Sequence, residues 1–193
     1  MTELVVIIFS AALVNNFVLV QFLGLCPFLG ASRKLEGALG MGLATGLVLT
    51  MASAFSYLVE RFVLIPFDVG YLRLVSFIVV IGAAVQFTEL LLSRAFPVLH
   101  KVLGIYIPLI ASNCAVLGVA LLNSNANRSL AAAIFYGAGA ALGFGIVLVL
   151  LSSLRERLDG EDVPMPFRGS AITLVTAGIL SLAFLGFTGF TRP

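Results

Sequence analysis

The chain has 193 residues, of which 61% are hydrophobic and only 10% charged, with a formal net charge of +2. A soluble domain carries about 25% charged residues, and a core of this size leaves much of its area facing solvent, so lipid must solvate a large part of the surface. The small net charge gives no argument for a nucleic-acid partner.

Met1-Thr2-Glu3 leads directly into an apolar run. It lacks a basic n-region, and the run exceeds the about 7–15 residues of a signal-peptide core, so it reads as a retained first span. Neither end carries a lipidation box. A span needs about 20 apolar residues to cross about 30 Å of hydrocarbon. Six segments qualify: Leu4 to about Leu29, Leu39 to Val59, Leu72 to Leu92, Val102 to Leu122, Leu130 to Leu151 and Ala171 to Phe190. They are apolar all round, without the alternation of a β-barrel strand. The expected fold class is an all-α integral membrane protein with six transmembrane helices, a single membrane domain over residues 1–193.

The connections are short and hold most of the charges. Arg33, Lys34, Arg94, Lys101, Arg155, Arg157 and Arg168 fall after helices one, three and five, seven in all; Arg61, Arg73, Arg128 and Arg192 make four on the opposite side. Lys and Arg accumulate on the cytoplasmic side, which places both termini outside, periplasmic in a bacterial inner membrane. No connection is long enough for a soluble catalytic domain.

The two halves repeat. Cys26-Pro27-Phe28-Leu29-Gly30 and Cys114-Ala115-Val116-Leu117-Gly118 share C-x-x-L-G, and Leu58-Val59-Glu60-Arg61 and Leu154-Arg155-Glu156-Arg157 share L-x-E-R. The first pair lies 88 residues apart and the second 96, with Asn123 to Arg128 the expected site of the extra residues. Short matches in apolar sequence also arise by chance, but two in the same order at the same place in each half argue for a repeat. Repeat one covers about 1–95 and repeat two about 96–193. Three helices per half is odd, so the second copy enters from the other side, an inverted repeat with its pseudo-two-fold axis in the membrane plane.

The first helix of each repeat is expected to be interrupted near its cysteine. The uncharged run from Leu4 to Ser32 would make a straight helix of about 43 Å at about 1.5 Å per residue, and Gly24, Pro27 and Gly30 break it up. The fourth segment has Gly104, Pro108 and Gly118, with Asn113 beside the cysteine. Interrupted helices at matching places in inverted halves point to a functional site at the repeat interface.

Cys26 and Cys114 are the only cysteines, and His100 the only histidine. The axis would carry the two cysteines towards each other, and two soft thiolates suit a soft metal or an iron–sulfur cluster. A two-iron cluster wants four cysteines, and His100, near a helix end, is a poor third ligand. The chain would then supply half a site and a second subunit the rest. The alternative is a pair of inert cysteines, a residue type often buried. Glu89 lies a few residues from its helix end and is most simply an interfacial carboxylate. Asn15, Asn16 and Asn113 can satisfy backbone groups freed at helix breaks. The Gly/Ala-rich runs 37–46 and 137–145 read as helix-packing faces.

The stretch from Leu13 to Phe28, Leu-Val-Asn-Asn-Phe-Val-Leu-Val-Gln-Phe-Leu-Gly-Leu-Cys-Pro-Phe, closely resembles the A-subunit family of the bacterial Rnf electron-transport complex. So do Asn113 to Leu122, Leu154 to Leu158 with Asp162-Val163-Pro164, and Phe167-Arg168-Gly169 with Thr176-Ala177-Gly178. The resemblance covers essentially the whole chain, with no departure at either cysteine. It implies a six-helix subunit paired with a homologous subunit of opposite orientation, the E subunit, within a complex that also holds B, C, D and G subunits. It implies one intramembrane [2Fe-2S] cluster shared by the pair, each chain giving two cysteines, here Cys26 and Cys114. It also implies coupling of electron flow between ferredoxin and NAD to sodium or proton movement, with no flavin or NAD bound by this chain. The corresponding subunit of the sodium-pumping NADH:quinone reductase is the runner-up. A cluster-free secondary transporter or channel, and a structural scaffold, are competing readings that need no cysteine.

Overall fold

The computed structural model describes residues 2–14, 16–31, 35–67, 69–95, 107–126, 128–158, 164 and 169–188. Expectations resting on Asn15, Arg33, Lys34, His100, Lys101, Gly104 and the 159–163 and 165–168 stretches lie outside them. Among the described residues all regular structure is helical. Helix α1 (Thr2–Phe9) continues as a π turn over Ser10–Val14, followed by α2 (Phe17–Val20) and α3 (Leu25–Ala31). Helix α4 (Leu35–Val59) also ends in a π turn, Glu60–Leu64, and α5 is Arg73–Ala95. Then come α6 (Ile107–Ala111), α7 (Cys114–Asn125), α8 (Leu130–Leu158) and α9 (Ser170–Thr188).

Four stretches are long and apolar enough to cross a membrane: Gly37–Leu64, Gly70–Arg94, Pro108–Asn125 and Leu130–Leu158. Val6–Val20 and Ser170–Gly186 are shorter apolar helices at the places expected for the first and last spans. The distribution of side chains is that of a bilayer solvent. Leu43, Val79 and Leu182 are about two-thirds or more exposed, while Thr45, Ser53, Ser152, Thr173 and Ser181 are buried. Without water outside to drive large side chains inward, helices associate through close packing of small residues.

That packing is centred on α4 and α8, the most extensively paired helices among the described residues. A Cβ on Gly137 of α8 would lie 2.5 Å from Ser53 Oγ of α4, and one on Gly46 of α4 3.3 Å from Ala141 of α8. The opposite side of α8 receives α1 and its π turn. A Cβ on Gly143 would sit 2.9 Å from the Ala12 carbonyl oxygen and 3.0 Å from Asn16 Nδ2. The remaining contacts are reciprocal between the halves. Helix α1 packs on α8 while α7 packs on α4; α9 packs on α2 and on the π turn after α1, while α5 packs on α6 and α7.

The interruptions fall at slightly different residues from those expected. The first segment breaks at Asn16 and again over Gln21–Gly24; Pro27 and Gly30 are both inside α3. Pro27 is in the first turn of α3, where its missing N–H would have no intrahelical acceptor. The fourth segment breaks at Ser112–Asn113, between α6 and α7, whereas Pro108 and Gly118 are helical. Polar side chains take up the backbone groups that the breaks release. Ser181 Oγ donates to the Leu19 carbonyl at 2.6 Å, and the Asn16 and Asn113 side-chain oxygens accept from Val18 N and Ala115 N at 3.1 and 3.0 Å.

Gly143→Ala should therefore destabilise the fold by about 1–3 kcal/mol, the usual cost of overpacking a tight interface. Gly145→Ala, two residues on with nothing within 4 Å of its added Cβ, should be nearly neutral. Thermal unfolding of both variants in the same detergent checks the contrast, and equal losses would contradict this packing.

Candidate metal centre

Two interrupted segments cross, and the cysteines sit at the crossing. On the first segment Asn16 is buried and starts α2 as its N-cap, with Oδ1 accepting from Val18 N at 3.1 Å. Its Nδ2 donates to Ala12 O at 3.0 Å and to Gly143 O at 3.1 Å, which ties the break to α8. Phe22, at φ 54, stops α2 in the left-handed conformation typical of helix ends. A non-glycine residue is uncommon there. Gly24, at φ 85, then turns the chain into α3, and Cys26 lies in the first turn of that helix.

On the second segment Asn113 is the N-cap of α7, its Oδ1 accepting from Ala115 N at 3.0 Å, and Cys114 is the first residue of the helix. The Gly24 backbone N–H donates to Cys114 Sγ at 3.0 Å. A Cβ on Gly24 would lie 3.1 Å from Ala115 Cβ and 3.4 Å from both Asn113 Oδ1 and Phe144, so only glycine fits by conformation and by space. Gly118 abuts Leu23 just as closely, with 2.7 Å from an added Cβ to Leu23 Cδ1. Gly24 is two residues before Cys26, so the structure brings the two cysteine-bearing turns together.

Both thiols are free and exposed, so neither is a buried core cysteine. No three metal-ligating side chains come together among the described residues. Two soft sulfurs on one chain, one of them taking a backbone N–H, fit a share of a thiolate-bound cluster and fall short of a complete one. Glu89 is part-buried and six residues before the end of α5.

The L-x-E-R motifs reach across the halves. Glu60, at the end of α4, accepts a hydrogen bond from Ser124 Oγ near the end of α7 and pairs with Arg73 at 3.2 Å. Arg155, at the corresponding end of α8, donates from Nη1 to the Leu29 carbonyl of α3 at 3.2 Å. Each half's second helix thus anchors the cysteine helix of the other half. The sequence marked the motifs but not this role. Nor did it signal the Gly24 N–H, since a backbone donor has no residue code; the glycine two places before Cys26 was its only trace.

Residues 4–191 match the family described as Rnf-Nqr subunit, membrane protein. The chain belongs to the Rnf-Nqr family. It is 58% identical over 192 residues to a protein of Shewanella sp. (strain MR-4) named as the A subunit of an ion-translocating oxidoreductase complex, with 100% of both chains covered. A protein of the same name from Shewanella baltica (strain OS185) is also 58% identical, and one from Vibrio vulnificus (strain YJ016) is 57% identical, each over 192 residues and the full length of both chains. In this Rnf-Nqr chain the crossing of the interrupted helices is the feature with chemistry to offer.

Gly24→Ala should strain the left-handed turn by about 1–2 kcal/mol and push the N–H away from Cys114. Faster alkylation of Cys114 by a maleimide, with a lowered melting temperature, is the expected outcome in the purified protein. An unchanged alkylation rate would mean that this hydrogen bond does not hold the sulfur.

Proposed function

We propose that this chain is the A-type membrane subunit of an ion-translocating oxidoreductase complex of the Rnf kind. In this reading it carries electrons across the membrane through a [2Fe-2S] cluster shared with a homologous subunit of inverted orientation. The observation that carries the proposal is the crossing itself. Cys114 Sγ accepts the Gly24 N–H beside the turn that bears Cys26, and both thiols are exposed. The full-length likeness to proteins named as the A subunit of an ion-translocating oxidoreductase complex supports the assignment.

Cys26 and Cys114 would hold the cluster, each through its thiolate. When bound, the cluster supplies a one-electron relay that divides a hydrocarbon core of about 30 Å into shorter steps. The rest is work for this chain's residues. The Gly24 N–H orients Cys114 Sγ and withdraws charge from it. Asn16 and Asn113 cap the broken helices so that few backbone groups are left unpaired in hydrocarbon. Phe144 and Ala115 pack against the turn and keep water from its inner side.

Six spans in two inverted three-helix repeats belong to the same reading. Its support is the reciprocal packing of the halves and the two cross-links made by Glu60 and Arg155. Such symmetry permits alternating access, which a coupled ion pump requires. The E subunit would complete the cluster and the B, C, D and G subunits would surround the pair, in the bacterial inner membrane with both termini periplasmic.

Iron content decides the ligand reading. The chain purified by itself should bind little iron, and co-expression with the homologous subunit should give about two irons per pair. Cys26→Ser or Cys114→Ser should each abolish that iron and its spectrum while the protein still inserts. Full occupancy in either variant would remove that cysteine from the site. For orientation, a reporter fused after Pro193 should behave as periplasmic, and a cytoplasmic signal from an inserted fusion would reverse it.

A further inference from the structure

Asn113 is 3% exposed, and its carboxamide orientation is determined by the helix it caps: Oδ1 takes the Ala115 N–H, which leaves Nδ2 as the opposite, donating end. That Nδ2 is buried and has no hydrogen-bond partner among the described residues. Asn16 makes the instructive contrast. It caps a helix in the same way, but its Nδ2 is satisfied twice, by Ala12 O and Gly143 O. Capping alone does not call for asparagine, since Ser, Thr and Asp cap as well. The spare donor of Asn113 therefore lacks an acceptor rather than a purpose. Its surroundings indicate which acceptor. The residue precedes Cys114, and the oxygen of its carboxamide lies 3.4 Å from the Cβ position of Gly24, whose N–H already binds Cys114 Sγ; Nδ2 is bonded to the same carbon as that oxygen.

We propose that the Asn113 side-chain amide donates a hydrogen bond to a sulfur of the cluster held by Cys26 and Cys114, and so raises its reduction potential. This rests on the reading of those cysteines as ligands. A donor to sulfur stabilises the more negative, reduced cluster. Asn113 is a positioning and tuning residue, not a ligand.

The test uses the co-expressed pair of subunits. Asn113→Ser keeps a capping oxygen but removes the amide, so the helix start survives. The reduction equilibrium should shift about tenfold towards the oxidised form, about 59 mV for a one-electron couple, at unchanged iron content. An unaltered potential would overturn the inference. In the wild-type pair carrying isotope-labelled asparagine, the reduced cluster should display a hyperfine coupling to a side-chain amide nitrogen that Asn113→Ser removes. Absence of that coupling in the wild type would overturn the inference even where the serine variant fails to load iron. A wild-type pair with no two-iron spectrum would instead reject the ligand reading, and the inference with it.

Discussion

The hydrogen bond from the Gly24 N–H to Cys114 Sγ joins residues 90 apart in the chain, and much else in the structure is arranged so that it can form. For a backbone N–H to be free inside a hydrophobic segment, the helix must be broken there. In lipid, a broken helix is tolerated only where its released groups find partners inside the protein. Asn16, Asn113 and Ser181 are those partners. Each is a short polar side chain at a break or, for Ser181, on the helix packed against one, and none carries a charge that the bilayer would penalise. The interruption, the caps and the exposed sulfur are parts of one solution.

The scaffold behind the crossing follows the same solvent logic. Many large apolar side chains face outward while Gly137, Gly139 and Gly143 are buried, so that α4 and α8 approach closely and α1 can seat on the other side of α8. Gly143 belongs to both tasks. Its lack of a side chain admits Ala12 and Asn16, and its carbonyl accepts from Asn16 Nδ2. The helix packing and the first break are therefore coupled at a single residue. At the far ends, Glu60 with Ser124 and Arg155 with Leu29 fasten each cysteine helix to the opposite half.

Much of this was legible in the chain. Apolar runs marked helices at all six places, because a bilayer demands length and hydrophobicity that composition reports directly. Both cysteines and the interruption of their segments were also readable. The positions of the breaks were not. Pro27 and Gly30 are conspicuous, yet they are accommodated in α3, the proline in its first turn, and the real turn uses Phe22 and Gly24 in the left-handed region. Phe22 carries no sequence signal for that conformation. The asparagines were expected to serve helix breaks, and Asn16 and Asn113 do, as N-caps. What the sequence left open was which one keeps an unused donor, since that depends on Gly143 and Ala12 coming near Asn16 and on no described acceptor coming near Asn113.

The claim on which everything turns is that Cys26 and Cys114 share one exposed site at the crossing of the two interrupted helices. It is tested most directly by treating the lone chain, reconstituted in lipid vesicles, with a short bifunctional thiol reagent and mapping the linked peptides by mass spectrometry. The account predicts an efficient intramolecular link between Cys26 and Cys114 that is blocked when the homologous subunit is co-reconstituted with its cluster. Independent modification of the two cysteines, with no link formed in the lone chain, would contradict it.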